Sequence, residues 1–234
     1  TASNATLNKT GTANGTVSVT GSGSTRTVTI SSITGDGTLG IALPSGTATD
    51  LAGNSAPAAT GSPFTVDNTG PAVTIGAPSA SIVTSGPVAY AVTYADPNFS
   101  SSTLTAANVT LNTTGTAAGT LSVSGSGATR TVSISSISGN GTLGISLAAG
   151  TAADLAGNLA GAAGPGATFT ADNTAPSLTI GPPSSLQTKT GPVTFNVSYA
   201  DANFSGSSLA AANVSLNATG TATSTFTAGV STAG

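Results

Sequence analysis

The chain has 234 residues, 38% of them hydrophobic and only 5% charged, with four Lys+Arg against seven Asp+Glu and a net charge of −3. Cysteine, histidine, methionine and tryptophan are absent, which removes thiolate nucleophiles, imidazole bases and the usual zinc and haem ligands. So few cations cannot neutralise a run of phosphates, which argues against nucleic acid as a partner, and no stretch of about 18 apolar residues is present to span a bilayer.

Self-similarity organises the rest. Residues 15–43, GTVSVTGSGSTRTVTISSITGDGTLGIAL, return at 119–147 as GTLSVSGSGATRTVSISSISGNGTLGISL, an offset of 104. Residues 93–117 return at 198–222 with an offset of 105, one residue having been added between Asn158 and Asp172. The unit is therefore about 104 residues long, and its joints fall at Asp-Asn-Thr-x-Pro, DNTGP at 67–71 and DNTAP at 172–176. Residues 71–172 form a complete unit, 1–67 carry the later part of one, and 176–234 carry the early part of another. The N-terminal TASNATLNKT has neither Met nor a signal-type apolar core, so the chain reads as an excerpt of a longer one.

Within 71–172, apolar residues alternate with polar ones as half-buried strands require. In chain order the alternating sets are Val73/Ile75, Val88/Tyr90/Val92/Tyr94, Val109/Leu111, Leu121/Val123, Val132/Ile134, Leu143/Ile145/Leu147, and Phe169 near the end. Turn chemistry separates them: Ser-Gly-Pro before the second, Gly-Ser-Gly before the fifth and Gly-Asn-Gly before the sixth. The chain has no Glu to build helix surfaces, and Thr, Ser, Val and Gly dominate. The expected fold is all-β, a tandem array of immunoglobulin-like β-sandwiches with about seven strands per repeat. Eight of the nine aromatic residues pair across the repeat, as Phe64/Phe169, Tyr90/Phe195, Tyr94/Tyr199 and Phe99/Phe204, which points to a shared core; Phe226 has no aromatic counterpart.

Six of the seven acids also fall on equivalent positions: Asp50/Asp154, Asp67/Asp172 and Asp96/Asp201; Asp36 is matched by Asn140. The pentapeptide DLAGN occurs at 50–54 and again at 154–158. With immunoglobulin-type connectivity, the start of the complete unit at Asp67, the loop YADPNFS (94–100) and the DLAGN loop share one pole, so Asp67, Asp96 and Asp154 are expected to meet there. The GDG turn around Asp36 in the preceding unit would abut that pole. Two readings are open. Asp and Asn close turns by accepting nearby backbone N–H groups. Alternatively, converging carboxylates with amide and carbonyl oxygens form a hard-ligand set suited to Ca²⁺, which takes 6–8 oxygens.

The combination GTLGISLAAGTAADLAGN, TFTADNTAP and a fresh strand resembles the bacterial Ig-like domains strung in tandem through large secreted and cell-surface proteins, including adhesins. The resemblance covers essentially the whole chain. It implies an extended extracellular rod, often stiffened by calcium at its joints, with neighbouring repeats of the same or an adjacent chain as partners. The calcium positions it implies are Asp67, Asp96, Asp154 and Asn158, with Asp50, Asp172 and Asp201 in the partial repeats; Asp36 adds to the joint on the topological argument. The scarcity of acids departs from the family pattern.

The expected function is a structural stalk or fibre rather than an enzyme, since the acid pairs recur from unit to unit and no catalytic constellation accompanies them. The alternative is a module that binds carbohydrate or a host protein. Asn-x-Ser/Thr triplets, from Asn4 to Asn217, offer glycosylation acceptors. Finally, 176–234 supplies early strands and 1–67 later ones, so head-to-tail neighbours could complete one sandwich by strand complementation into a homopolymer.

Overall fold

A computed structural model describes residues 2–227. Among these, strand accounts for 46% of the chain and no helix reaches seven residues. Three single 3₁₀ turns, Ala2–Asn4, Ala106–Asn108 and Ala211–Asn213, are the only helical pieces among the described residues, and none is long and apolar enough to cross a membrane. The chain divides into two compact units, Thr1–Asp172 and Asn173–Gly234. The division coincides with the second Asp-Asn-Thr-x-Pro joint, whereas the first joint lies inside the larger unit.

The larger unit opens with β1 (Thr6–Lys9), β2 (Asn14–Thr20), β3 (Thr27–Thr34), β4 (Gly37–Leu43), β5 (Ala59–Thr60) and β6 (Phe64–Val66). β4 is the hub, pairing antiparallel with β1, β5 and β6, while β2 and β3 form a separate hairpin. Past the joint follow β7 (Ala72–Ile75), β8 (Ile82–Val83), β9 (Val88–Ala95), β10 (Phe99–Ser102), β11 (Val109–Thr113), β12 (Ala118–Ser126), β13 (Thr129–Ser138), β14 (Gly141–Leu147), β15 (Ala152–Asp154) and β16 (Phe169–Ala171). One four-stranded sheet runs β11-β14-β16-β8, the other β12-β13-β9-β7, and β10 pairs with β15 alone.

The two four-stranded sheets share one core. Val88, Tyr90, Val92 and Tyr94 from β9, Val132 and Ile134 from β13, Leu143, Ile145 and Leu147 from β14, and Phe169 from β16 form a single buried cluster. The period-2 pattern puts these side chains on one face of each strand, and each full burial contributes roughly 1.5–3 kcal/mol. Tyrosine tips are accommodated without orphaned hydroxyls. Tyr90 donates to the Ala167 carbonyl at 2.8 Å and Tyr94 to Thr151 Oγ1 at 2.9 Å. Each of the seven stretches with predicted alternation is a strand. The three further strands, β8, β10 and β15, span two to four residues, too short to carry a periodic signal.

The repeat is structural as well as textual. β2–β3 pairs Val17 with Ile30 and breaks register between Asn14 and Thr16; β12–β13 pairs Leu121 with Ile134 and breaks between Ala118 and Thr120. Beside these bulges, Ser32 and Ser136 both adopt φ of 50°, the left-handed region that costs an L-residue of order 1 kcal/mol or more. The same hydroxyl pair closes both copies of the next turn, Thr10–Thr38 and Thr114–Thr142, each at 2.8 Å.

In the smaller unit β17 (Ser177–Pro183) and β18 (Phe195–Ala200) form an antiparallel pair. Tyr199 stacks on Phe204 with centroids 5.7 Å apart, repeating the Tyr94–Phe99 stack at 6.2 Å.

Candidate functional site: the acidic joint

The DLAGN pentapeptide is a self-closing loop. Asp154 accepts the Asn158 backbone N–H on Oδ1 and the Asn158 side-chain amide on Oδ2, both at 2.8 Å. Asp50 and Asn54 reproduce this at 2.9 and 2.8 Å. The duplicated sequence therefore encodes the same turn in two settings, which is the ordinary work of Asp and Asn in loops. Its electrostatic mark is the same in both. At Asp50 the Asn54 side-chain amide, with backbone N–H groups of Asn54, Ala52 and Gly53, holds the carboxyl below its ordinary 3.8 despite some desolvation. At Asp154 burial pushes the carboxyl upward, but the Asn158 amide and the backbone N–H groups of Asn158, Gly157 and Ala156 together outweigh it, and the net direction is down.

Only the second copy gathers further acids. β10 pairs with β15 so that Phe99 lies opposite Asp154, which draws the loop after β9 against the DLAGN loop; Leu155 N–H also donates to the Asn98 carbonyl at 2.8 Å. In that loop Asp96 Oδ1 accepts Asn98 N–H at 2.6 Å, an Asx turn. Asn98 then reaches across the joint and donates its side-chain amide to Asp67 Oδ2 at 2.6 Å, while Asn158 donates to the Asp67 carbonyl oxygen at 2.9 Å. As a result one carboxylate oxygen from each of Asp67, Asp96 and Asp154 lies within 4.8 Å of the others. Asp154 is buried, 4% exposed, and the other two are half-buried. Three residues far apart in the sequence thus meet at the pole where the first repeat joins the second.

The joint is held from its other side too. Asp36, in the turn between β3 and β4, accepts Asn68 N–H at 2.7 Å on Oδ1 and the Thr69 hydroxyl at 2.9 Å on Oδ2. Asn68 donates its amide to the Gly35 carbonyl at 2.7 Å, and Asp67 Oδ1 accepts Thr69 N–H at 3.1 Å. Gly70 lies so close to the following repeat that a Cβ there would stand 2.4 Å from the Leu159 carbonyl oxygen.

Of the eight expected site residues, Asp67, Asp96, Asp154 and Asn158 come together. Asp36 belongs to the joint in a different role: both of its carboxylate oxygens hold the linker, and it stands outside the three-acid group. Asp50 closes its own loop, and Asp201 repeats the Asx turn of Asp96 through Asn203 N–H at 2.7 Å. Asp172 ends the larger unit with its N–H on the Val83 carbonyl. Asn98, Thr69 and Gly70 are the joint residues that sequence reasoning passed over. The recurrence of Asn98 as Asn203 beside the paired Asp96 and Asp201 was the available signal.

The donor set of the group is oxygen only, with three negative charges in a partly buried space and no softer ligand type in the chain. That chemistry suits a hard divalent cation as a class; nothing in it singles out calcium. Compared with protein-family models, with curated proteins and with solved structures, the chain matches none.

Proposed function

We propose that the chain is a stretch of tandem immunoglobulin-like modules serving as a stiff spacer in an extracellular, cell-surface stalk or fibre. The observation that carries this reading is the joint itself. Residues Asp67–Gly70 are tied backward to the preceding repeat through Asp36 and Gly35, and forward to the next through Asn98, Asn158 and Leu159. A linker between independent modules needs no such anchoring, because inter-domain contacts default to mobile ones. Near-identity of the repeated segments favours a scaffold over a binding module, whose recognition surface would differ between copies.

Asp67, Asp96 and Asp154 would hold a hard divalent cation, Ca²⁺ first among them, with its charge offsetting the mutual repulsion of the three carboxylates. The protein's own contribution is to orient these oxygens through Asn98 and Asn158. Limited proteolysis of the whole chain with a broad-specificity protease tests the spacer reading: 67–71 resists cleavage, whereas early cutting there would overturn it. Calorimetric titration with Ca²⁺ tests the cation: binding heat and a raised melting temperature are expected, both lost in Asp96→Asn. Absence of both in the unaltered chain removes the cation.

A further inference from the structure

The strand directions within 71–172 fix how a pull along the chain passes through this repeat. β9 runs toward the acidic joint, and β7 lies antiparallel to it, with Ala72 opposite Ala95 and Ile75 opposite Val92, so the chain enters at the joint and runs away from it. β13 is also antiparallel to β9, Thr129 lying opposite Thr93, and ends at the far pole. β14 starts from that far pole, and β16, antiparallel to β14 with Ala171 opposite Gly141, therefore leaves the repeat there. β8 and β16 pair in parallel, Thr170 beside Ile82 and Ala171 beside Val83. Every other pairing among the described strands is antiparallel.

We infer that the middle repeat bears tension along the chain and that the β8–β16 pair is its mechanical clamp. A pull from the joint draws β8 by its N-terminal end toward one pole, and a pull beyond Asp172 draws β16 by its C-terminal end toward the other. Parallel strands drawn from opposite ends must slide past one another, so the bonds between them give way together; strands drawn apart from one shared end lose their bonds singly. The bonds concerned run from Thr170 N–H to the Ser81 carbonyl and from Asp172 N–H to the Val83 carbonyl, each at 2.9 Å. Asp172 is also the first residue of the DNTAP joint, so load leaves the repeat directly from the clamp. The inference rests on the spacer reading for the source of the tension; the resistance itself is a property of the fold.

Both partners of the clamp are rooted. Phe169 and Ala171 of β16 are each 1% exposed, and Ala80 and Val83 pack against the same core. The chain between β7 and β8 holds little slack, because β9 takes it up. Gly76 N–H donates to the Ala91 carbonyl at 2.8 Å, Ser79 N–H donates to the Ala89 carbonyl at 2.9 Å, and Ser79 Oγ accepts Ala89 N–H at 2.9 Å. Ahead of β16, Gly166 lies so close to β7 that a Cβ there would stand 2.9 Å from Ile75 Cγ2. Tension arriving at β7 is thereby passed to β8 with little extension. None of these contacts involves the acidic joint, and the clamp stands without any cation.

The chain has no cysteine, so pulling handles can be attached at chosen residues of the whole chain. Ala77→Cys with Ala175→Cys draws β8 and β16 from opposite ends, whereas Ala77→Cys with Ala167→Cys draws them from the same end; all three positions are exposed. Single-molecule force spectroscopy at one loading rate compares the two. The first pair is expected to open the repeat at a force at least about twofold higher than the second, because forced unfolding follows the barrier along the pulled direction and not the equilibrium stability that both share. Thr170→Pro, which deletes a donor facing β8, should lower the first force. Thr168→Cys replaces Ala167→Cys should that variant fold poorly. Equal forces in the two geometries, or a first force unmoved by Thr170→Pro in a chain that still melts cooperatively, overturn the inference. Early proteolysis at 67–71 would instead remove the spacer reading and leave the two forces as they are.

Discussion

Gly70→Ala probes the joint most locally. An ideal Cβ at residue 70 stands 2.4 Å from the Leu159 oxygen, 2.9 Å from its carbon and 3.4 Å from its nitrogen. Opening the first of these to ordinary contact needs a shift of roughly 1 Å, and the atoms to be moved are backbone. Leu159 cannot yield freely, because Ala153 and Leu159 form a β-bridge and the adjacent Ala160 N–H is bonded to the Ala152 carbonyl at 2.9 Å. Overpacking of this kind costs typically 1–3 kcal/mol. For a unit of this size each kcal/mol lowers the melting temperature by about 2–4 °C, so a loss of about 4–8 °C is expected for a cost of about 2 kcal/mol. The matched control is Gly161→Ala, where a Cβ meets nothing within 4 Å, and the change should stay within about 0.5 kcal/mol. Differential scanning calorimetry of both variants decides the matter. Equal melting of Gly70→Ala and Gly161→Ala would refute the claim that the joint is closely packed. Ala175 occupies the equivalent place in DNTAP, so alanine is compatible with the motif itself and the constraint at residue 70 comes from Leu159.

Other consequences are equally concrete. Phe169→Ala empties the middle of the shared core, where the ring is 1% exposed and lies 6.5 Å from Tyr90; a loss of about 3–5 kcal/mol is expected in denaturant unfolding. Arg130 donates to the carbonyls of Leu104 at 2.7 Å, Ser102 at 3.3 Å and Ser124 at 3.3 Å. Its fork thereby secures the loop that places fully buried Leu104, and Arg130→Ala should cost about 2 kcal/mol in the same assay, with Arg130→Lys recovering less than half. Asp50 and Asp154 have carboxyls held below 3.8 in the folded chain. Their contribution to stability is therefore complete above that value and is lost as pH falls through 3.8 toward the lower folded values. Carboxyl-carbon NMR titration should give both midpoints below 3.8, and a midpoint above it for either would contradict the loop geometry.

How far the sequence alone could be read follows from the length scale of each signal. β9, with four alternating apolar positions, and β14, with three, are legible; β8, β10 and β15 are fixed by partners rather than by pattern. Their absence from the reading mattered, because the β10–β15 pair is what brings Asp96 beside Asp154. The meeting of Asp67, Asp96 and Asp154 was nonetheless foreseeable, since it follows from which loops share a pole. Asp36 shows the limit of that reasoning. Placing its turn near the joint was within reach of topology, but whether its carboxylate faces the other acids or the linker N–H groups depends on a few ångströms of loop path. Asn98 and Gly70 were missed for a related reason: an amide reaching across a joint and a missing Cβ leave no trace in charge or periodicity. The repeat itself, by contrast, shows in the sequence and again in the paired bulges and in the matched φ of Ser32 and Ser136.

The central claim is that residues 67–70 lock one repeat to the next, and a distance measurement across that joint tests it most directly. Spin labels at Ser24→Cys and Ser126→Cys, exposed positions on the two repeats, should report one narrow distance distribution by pulsed electron paramagnetic resonance, and Asp36→Ala should broaden it. A broad distribution in the chain that retains Asp36 would contradict the account.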